Sequence, residues 1–93
     1  MTSGTVSVRL SDLGKGDCGH IRGLTPEGHD GPDEIGHAEL ERRLLEMGFV
    51  EGARFQILHE GLVGRDPIAL KLDDMRVALR RREAGAILVE RDS

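Results

Sequence analysis

The sequence contains no tryptophan and no tyrosine, and only two phenylalanines among its 93 residues. Single-stranded nucleic acid would find almost nothing to stack on. An aromatic-lined groove for polyproline ligands cannot be built either, which excludes a peptide-reading signalling SH3 domain. Cys18 is the only cysteine, so no intrachain disulfide exists, and a cytoplasmic setting is expected. No apolar run approaches the roughly 18–20 residues that span a bilayer. The stretch MTSGTVSVRL lacks a basic start ahead of a long apolar block, so no signal peptide is expected. Positive charge is not in excess, since the net charge is -4. The first 50 residues carry 5 basic and 9 acidic side chains, and the remainder 8 of each. A general basic field for nucleic acid is therefore excluded. Ser3, Ser7, Ser11 and Ser93 stand in no nucleophile motif, and no catalytic residues are assigned.

What is present fits one small domain, 38% hydrophobic and 32% charged. A chain of this size buries only roughly 60–65% of its unfolded surface. Its margin of stability is thin, and a partner or a second copy would add to it. Val6, Val8 and Leu10 alternate with Ser7 and Arg9, the period of a half-buried strand. CGHIRGL at 18–24 is a second strand, with two glycines that signal a bend or bulge. TPEGHDGPDEIG at 25–36 has Gly, Pro and acids without apolar period, and is expected to be an exposed acidic loop. In HAELERRLLEM, residues 37–47, Leu40, Leu44 and Met47 recur at helical spacing, and Leu45 widens the stripe. Glu39 is placed to pair with Arg43. Gly48 follows as a left-handed C-terminal cap, with Phe49 folding back onto Leu44 or Leu45. Strands are expected around Phe55 and Ile57, at Ile68–Leu72, at Met75–Leu79 and at Ile87–Val89, with a tight connection at Asp73–Asp74 and a single helical turn near 80–85. The connections are too short for parallel crossovers, so the strands are antiparallel. Short strands with Gly-bearing turns predict a mainly β, closed small barrel of five to six strands with one inserted helix.

Four motifs carry a family likeness: LSDL with a Gly turn at 10–16, RRLLEMGFVEGARFQIL at 42–58, GRDPIALKL at 64–72 and VALRRREAGAILVE at 77–90. With these the chain resembles the FeoA family, the small cytoplasmic component of bacterial ferrous iron transport. The resemblance covers most of the chain. It implies an SH3-like barrel with an inserted helix, whose end forms part of a surface. It also implies a non-enzymatic accessory role, binding and modulating the membrane permease FeoB at its cytoplasmic part, which carries a GTPase domain. Two departures stand out. The 25–36 stretch is longer and more acidic than the usual connection, and Arg65 separates Gly64 from Asp66.

Candidate partner-binding residues are Leu45, Met47, Phe49, Leu62, Val63 and Arg65. EGLVGRDP has no strand period, yet holds two adjacent apolar residues in a Gly-flanked loop. These either plug the barrel mouth or, if exposed, join the Met47–Phe49 turn in one docking patch. Cys18 and His20 share a strand face and are candidate metal ligands, with His29 and His37 near Asp30, Asp33 and Glu34. The plain alternative is a surface pair. No cofactor is required, apart from weak transition-metal binding at that pair. RRR at 80–82 is a solvated rim or a contact for an acidic partner. Two other functions remain open: an SH3-like regulatory module acting in trans in metal-dependent transcription, and a ferrous iron carrier. The oligomeric state is left open, a homo-oligomer included.

Overall fold

The computed structural model describes residues 7–25 and 34–92. Six strands, β1 (Val8–Arg9), β2 (Cys18–Leu24), β3 (Arg54–Val63), β4 (Asp66–Leu72), β5 (Met75–Leu79) and β6 (Ile87–Arg91), form one sheet. Every pairing is antiparallel, in the order β1-β6-β2-β3-β4-β5. A 3-10 turn at Leu10–Asp12 follows β1, helix α1 spans Glu34–Met47, and α2 is one turn at Arg81–Ala84. This is the expected mainly β, SH3-like barrel with one inserted helix.

The strands form because their apolar residues alternate, and the alternation sets the core. Phe55 and Ile57 of β3, Ile68, Leu70 and Leu72 of β4, and Ile87 and Val89 of β6 all point inward and are buried. Leu10, Ile21, Leu40, Leu44 and Phe49 complete the interior. Register shifts between Ile21 and Gly23 and between Ile57 and His59 bend β2 and β3. The glycine-marked bulge expected in the second strand is thus present.

Three boundaries differ from expectation. The first strand was expected to include Leu10, but the ladder holds only Val8–Arg9. Leu10 instead opens a 3-10 turn that sinks its side chain completely into the core. Helix α1 begins at Glu34, not His37. An apolar stripe marks the packed part of a helix and does not fix where its first turn begins. The rest of the expected acidic loop, residues 26–33, lies outside the described residues. Finally, the stretch before Arg65 is no irregular loop. β3 runs to Val63, and its period is hidden by a second register shift between Glu60 and Val63.

The end of α1 is as the sequence predicts. Gly48 has φ 110° and its N–H donates to the Leu45 carbonyl at 3.0 Å. The Phe49 N–H donates to the Leu44 carbonyl, also at 3.0 Å. This double bond pattern is a Schellman cap, and Phe49 and Leu44 are both fully buried beneath it. A Cβ on Gly48 would stand 3.1 Å from Met75 Cε and 3.3 Å from Leu72 Cδ2. The expected Glu39–Arg43 pair is not seen, and Arg43 reaches Glu83 at 3.4 Å instead.

The sheet has two ends, β1 and β5, and among the described residues no ladder joins them. Arginine side chains cross the seam. Arg81 Nη1 donates to the carbonyls of Ser11 (2.6 Å) and Leu13 (3.4 Å), while Arg9 Nη1 donates to the Gly85 carbonyl at 3.0 Å. Arg81 also donates from Nη2 to Glu60 Oε1 at 3.0 Å and from Nε to the Arg65 carbonyl at 3.1 Å. Its backbone N–H donates to Asp66 Oδ1 at 2.7 Å. Glu60 Oε2 accepts the Lys15 N–H at 2.8 Å. The Arg81 and Glu60 side chains are each only 17% exposed, so their charges are stabilised by one another and by these bonds more than by water.

Two outcomes follow for stability. Gly48→Val should cost about 1 kcal/mol or more, from the left-handed backbone and the crowding of Met75 and Leu72; an unchanged thermal melt would refute the cap. Arg81→Met should cost about 2–3 kcal/mol, because Glu60 and several carbonyls lose their donor together. Glu60→Gln keeps an acceptor for Arg81 and should cost less. Denaturant unfolding of the two variants side by side checks the ranking.

Candidate functional site

The β3–β4 hairpin carries the most exposed apolar side chains of the described chain. Its turn is Gly64–Arg65, with φ of 65° and 58° and Val63 paired to Asp66, a two-residue connection of the type that suits the strand twist. Leu62 is 100% exposed and Val63 85%. They do not plug the barrel mouth. At the hairpin base, a Cβ on Gly61 would overlap the Asp66 carbonyl, so only glycine lets the strands approach there. The base is tied to the body through Glu60, the Arg65 carbonyl and Asp66, all bonded to Arg81. The Arg65 guanidinium lies 3.5 Å from Glu60 and remains largely exposed. The tip therefore offers two aliphatic side chains on a braced hairpin beside a cation. Burying each under a partner would contribute about 1.5–3 kcal/mol.

The helix end forms a second apolar area. Leu45 is half exposed and Met47 partly buried against the core. Phe49 was expected on this surface, but it is fully buried: the Schellman cap turns it inward as the hydrophobic partner of Leu44. Val50 and Met75, not expected there, are about half exposed near the same cap. Val50 shares the Gly48 turn and Met75 approaches Gly48 across the β4–β5 turn. The sequence signal available was an apolar residue on each flank of a Gly or Asp-Asp turn.

The two areas do not form one patch. The hairpin tip lies at the start of β4 and Met75 just beyond its end. Seven strand residues separate them by about 20 Å.

Cys18 and His20 do share the outer face of β2, but each turns to a different carboxylate. Cys18 Sγ is 3.8 Å from Asp92 Oδ2, and His20 Nε2 is 3.1 Å from Glu90 Oε1. Arg54 and Arg22 already pair with those same acids. Among the described residues no group of three or more His, Cys, Asp or Glu side chains is gathered as a metal site. His29 and the side chain of His37 lie outside the described residues. Two surface ligands would leave about half the positions of a four-coordinate ion to water.

The chain is a small SH3-like barrel that carries a braced apolar hairpin and a capped helix. Residues 8–91 match the FeoA domain model, and the chain belongs to the FeoA family. It is 34% identical over 83 residues to a Fe(2+) transport protein A/Fe(2+) transporter FeoB fusion protein of Porphyromonas gingivalis. That match covers 89% of this chain but only 8% of the fusion protein. Among solved structures, a FeoA-like protein from Clostridium acetobutylicum is 30% identical with a TM-score of 0.74, over 92% of this chain and 87% of that one. FeoA of Stenotrophomonas maltophilia, described as an SH3 domain protein complexed with zinc, is 26% identical with a TM-score of 0.70, over 91% and 95% of the two chains. A manganese-dependent transcriptional repressor shares the fold alone, at 19% identity and a TM-score of 0.71, over 44% of its own length. Among the described residues no helix is long and apolar enough to cross a membrane.

If the hairpin tip is as exposed as the geometry gives it, Leu62→Asp and Val63→Asp should each leave stability within about 0.5 kcal/mol of the parent. A chemical unfolding series checks this, and a larger loss would mean that the tip packs on the domain.

Proposed function

We propose that this chain is a non-enzymatic accessory protein of ferrous iron uptake, acting at the cytoplasmic face by binding the FeoB permease and shifting its conformational balance. The observation that carries the reading is the hairpin: two adjacent aliphatic side chains stand in solvent on a turn fixed to the barrel by Arg81 and Glu60. Leu62, Val63 and Arg65 form the primary contact. Leu45, with Met47, Val50 and Met75 beside it, forms a second contact at the opposite end of β4. Family membership supports a place in Fe(2+) transport. The fusion relative supports proximity to the permease, since one chain there carries both parts. Tethering raises the effective concentration of two modules whose separate affinity is modest. The mechanism needs no cofactor. Binding to one conformation of the permease more tightly than to another shifts its equilibrium by that difference in affinity.

The test is titration of the chain into the purified cytoplasmic part of its cognate FeoB without nucleotide, with GDP and with a GTP analogue. Binding should differ among the three states. Leu62→Asp should weaken it about tenfold or more, the loss of one well-buried aliphatic contact. Absence of binding in every state would reject the cytoplasmic contact. Equal binding by the Leu62 variant would reject the hairpin.

A further inference from the structure

We infer that the free edge of β5 takes up an extended, acidic segment of another protein as an added strand. This rests on a different surface from the hairpin and does not depend on which protein supplies the segment. Among the described residues β5 has β4 as its only ladder neighbour. Among the described residues its outward N–H and C=O groups make no other backbone hydrogen bond. Such an edge is a template for strand addition.

The side chains beside the edge set the chemistry of what fits. Lys71 of β4 stands directly opposite Arg76 of β5. Like charges placed opposite one another across a ladder oppose folding. Arg80 continues the same outer row, with its backbone still extended. Among the described residues none of these three cations is in an ion pair. The acids nearest in sequence do not relieve them. Asp73 accepts the Arg54 N–H at 3.0 Å, Glu83 accepts the backbone N–H of Arg80 at 3.0 Å and pairs with Arg43, and among the described residues Asp74 pairs with none of the three cations. Between Arg76 and Arg80 the row drops to Ala78, opposite Ala69. The two alanines lie in a shallow groove of about 550 Å³ bordered by Leu58, His59 and Arg76. An added strand would thus meet cation, small apolar floor and cation in turn. Carboxylates two positions either side of an apolar residue complement that row, and the backbone edge supplies the hydrogen bonds. A phosphate backbone or a second copy of this chain offers the charge or the edge, but not the apolar step between the charges.

The probe is a capped seven-residue peptide with Glu at positions 2 and 6, Val at position 4 and Thr elsewhere, compared with its counterpart that carries Lys at positions 2 and 6. The Glu peptide should bind saturably to the intact chain and slow amide hydrogen exchange at β5, measured by NMR, while the Lys peptide does neither. Arg76→Glu places opposite charges across the ladder. It should raise the melting temperature yet weaken the Glu peptide roughly tenfold. Lost binding in a more stable variant cannot be misfolding. Leu62→Asp should leave this binding unchanged, which separates it from the hairpin contact. Equal binding of both peptides, slowed exchange away from β5, or undiminished binding by Arg76→Glu would each overturn the proposal. So would protection of β5 that grows with protein concentration alone, since the occupant would then be a second copy.

Discussion

The guanidinium of Arg81 sits where three segments meet that the sheet does not join. Arg81 itself stands in the turn after β5, and the turn after β1 and the base of the β3–β4 hairpin both send polar atoms to it. A six-stranded sheet of short strands leaves a seam between its first and last members, and the usual cure is another ladder. Here the cure is a side chain. Arg81 crosses the seam one way and Arg9 the other, each ending on a backbone carbonyl. A planar group with five donors in fixed directions suits this task in a way that lysine would not. The consequence reaches the surface. Because Glu60 and Asp66 are fixed by Arg81, the hairpin leaves the barrel at a set angle, and Leu62 and Val63 are presented and not merely tolerated.

Much of the barrel was legible because it rests on short-range rules. Alternation of Phe55 and Ile57, of Ile68, Leu70 and Leu72, and of Ile87 and Val89 marks the inner face directly. The helix stripe and the Gly48-Phe49 cap are local chemistry and were read correctly. The same cap also explains the one residue placed on the wrong side. A C″ phenylalanine returns to the helix by definition of the motif, so Phe49 could not both close the cap and serve as surface. The hairpin arm was missed because a register shift breaks the period of two, and pattern reading has no means to restart the count within four residues. Arg81 was illegible for a different reason. Within RRR the three side chains are equivalent by sequence, and only the tertiary meeting of Ser11, Glu60 and Arg65 selects the middle one.

The candidate surfaces follow the same division. Exposure of Leu62 and Val63 could be argued from two apolar residues flanked by glycines. Their distance from the helix end could not, because it depends on which strands are neighbours. Once β4 is known to run between them, the two apolar areas become opposite ends of one strand. A partner touching both must be large enough to span about 20 Å, the length of the strand. A partner touching one leaves the other available for a second contact.

A domain this small has little stability to spare. It nevertheless keeps Leu62 in water, where a polar residue would serve the turn equally well, and keeps Lys71 opposite Arg76, where an acid would serve the ladder better. The fold itself accounts for neither choice. The glycines, by contrast, have structural reasons: Gly48 holds a left-handed cap under Met75, and Gly61 admits the Asp66 carbonyl. Features that weaken or do nothing for the isolated chain are best explained by what binds it. They lie on two sides of one β3–β4–β5 layer, an apolar tip and a cationic edge. That layer is held in place by Arg81, so a contact at the tip and a contact at the edge are fixed relative to one another through it.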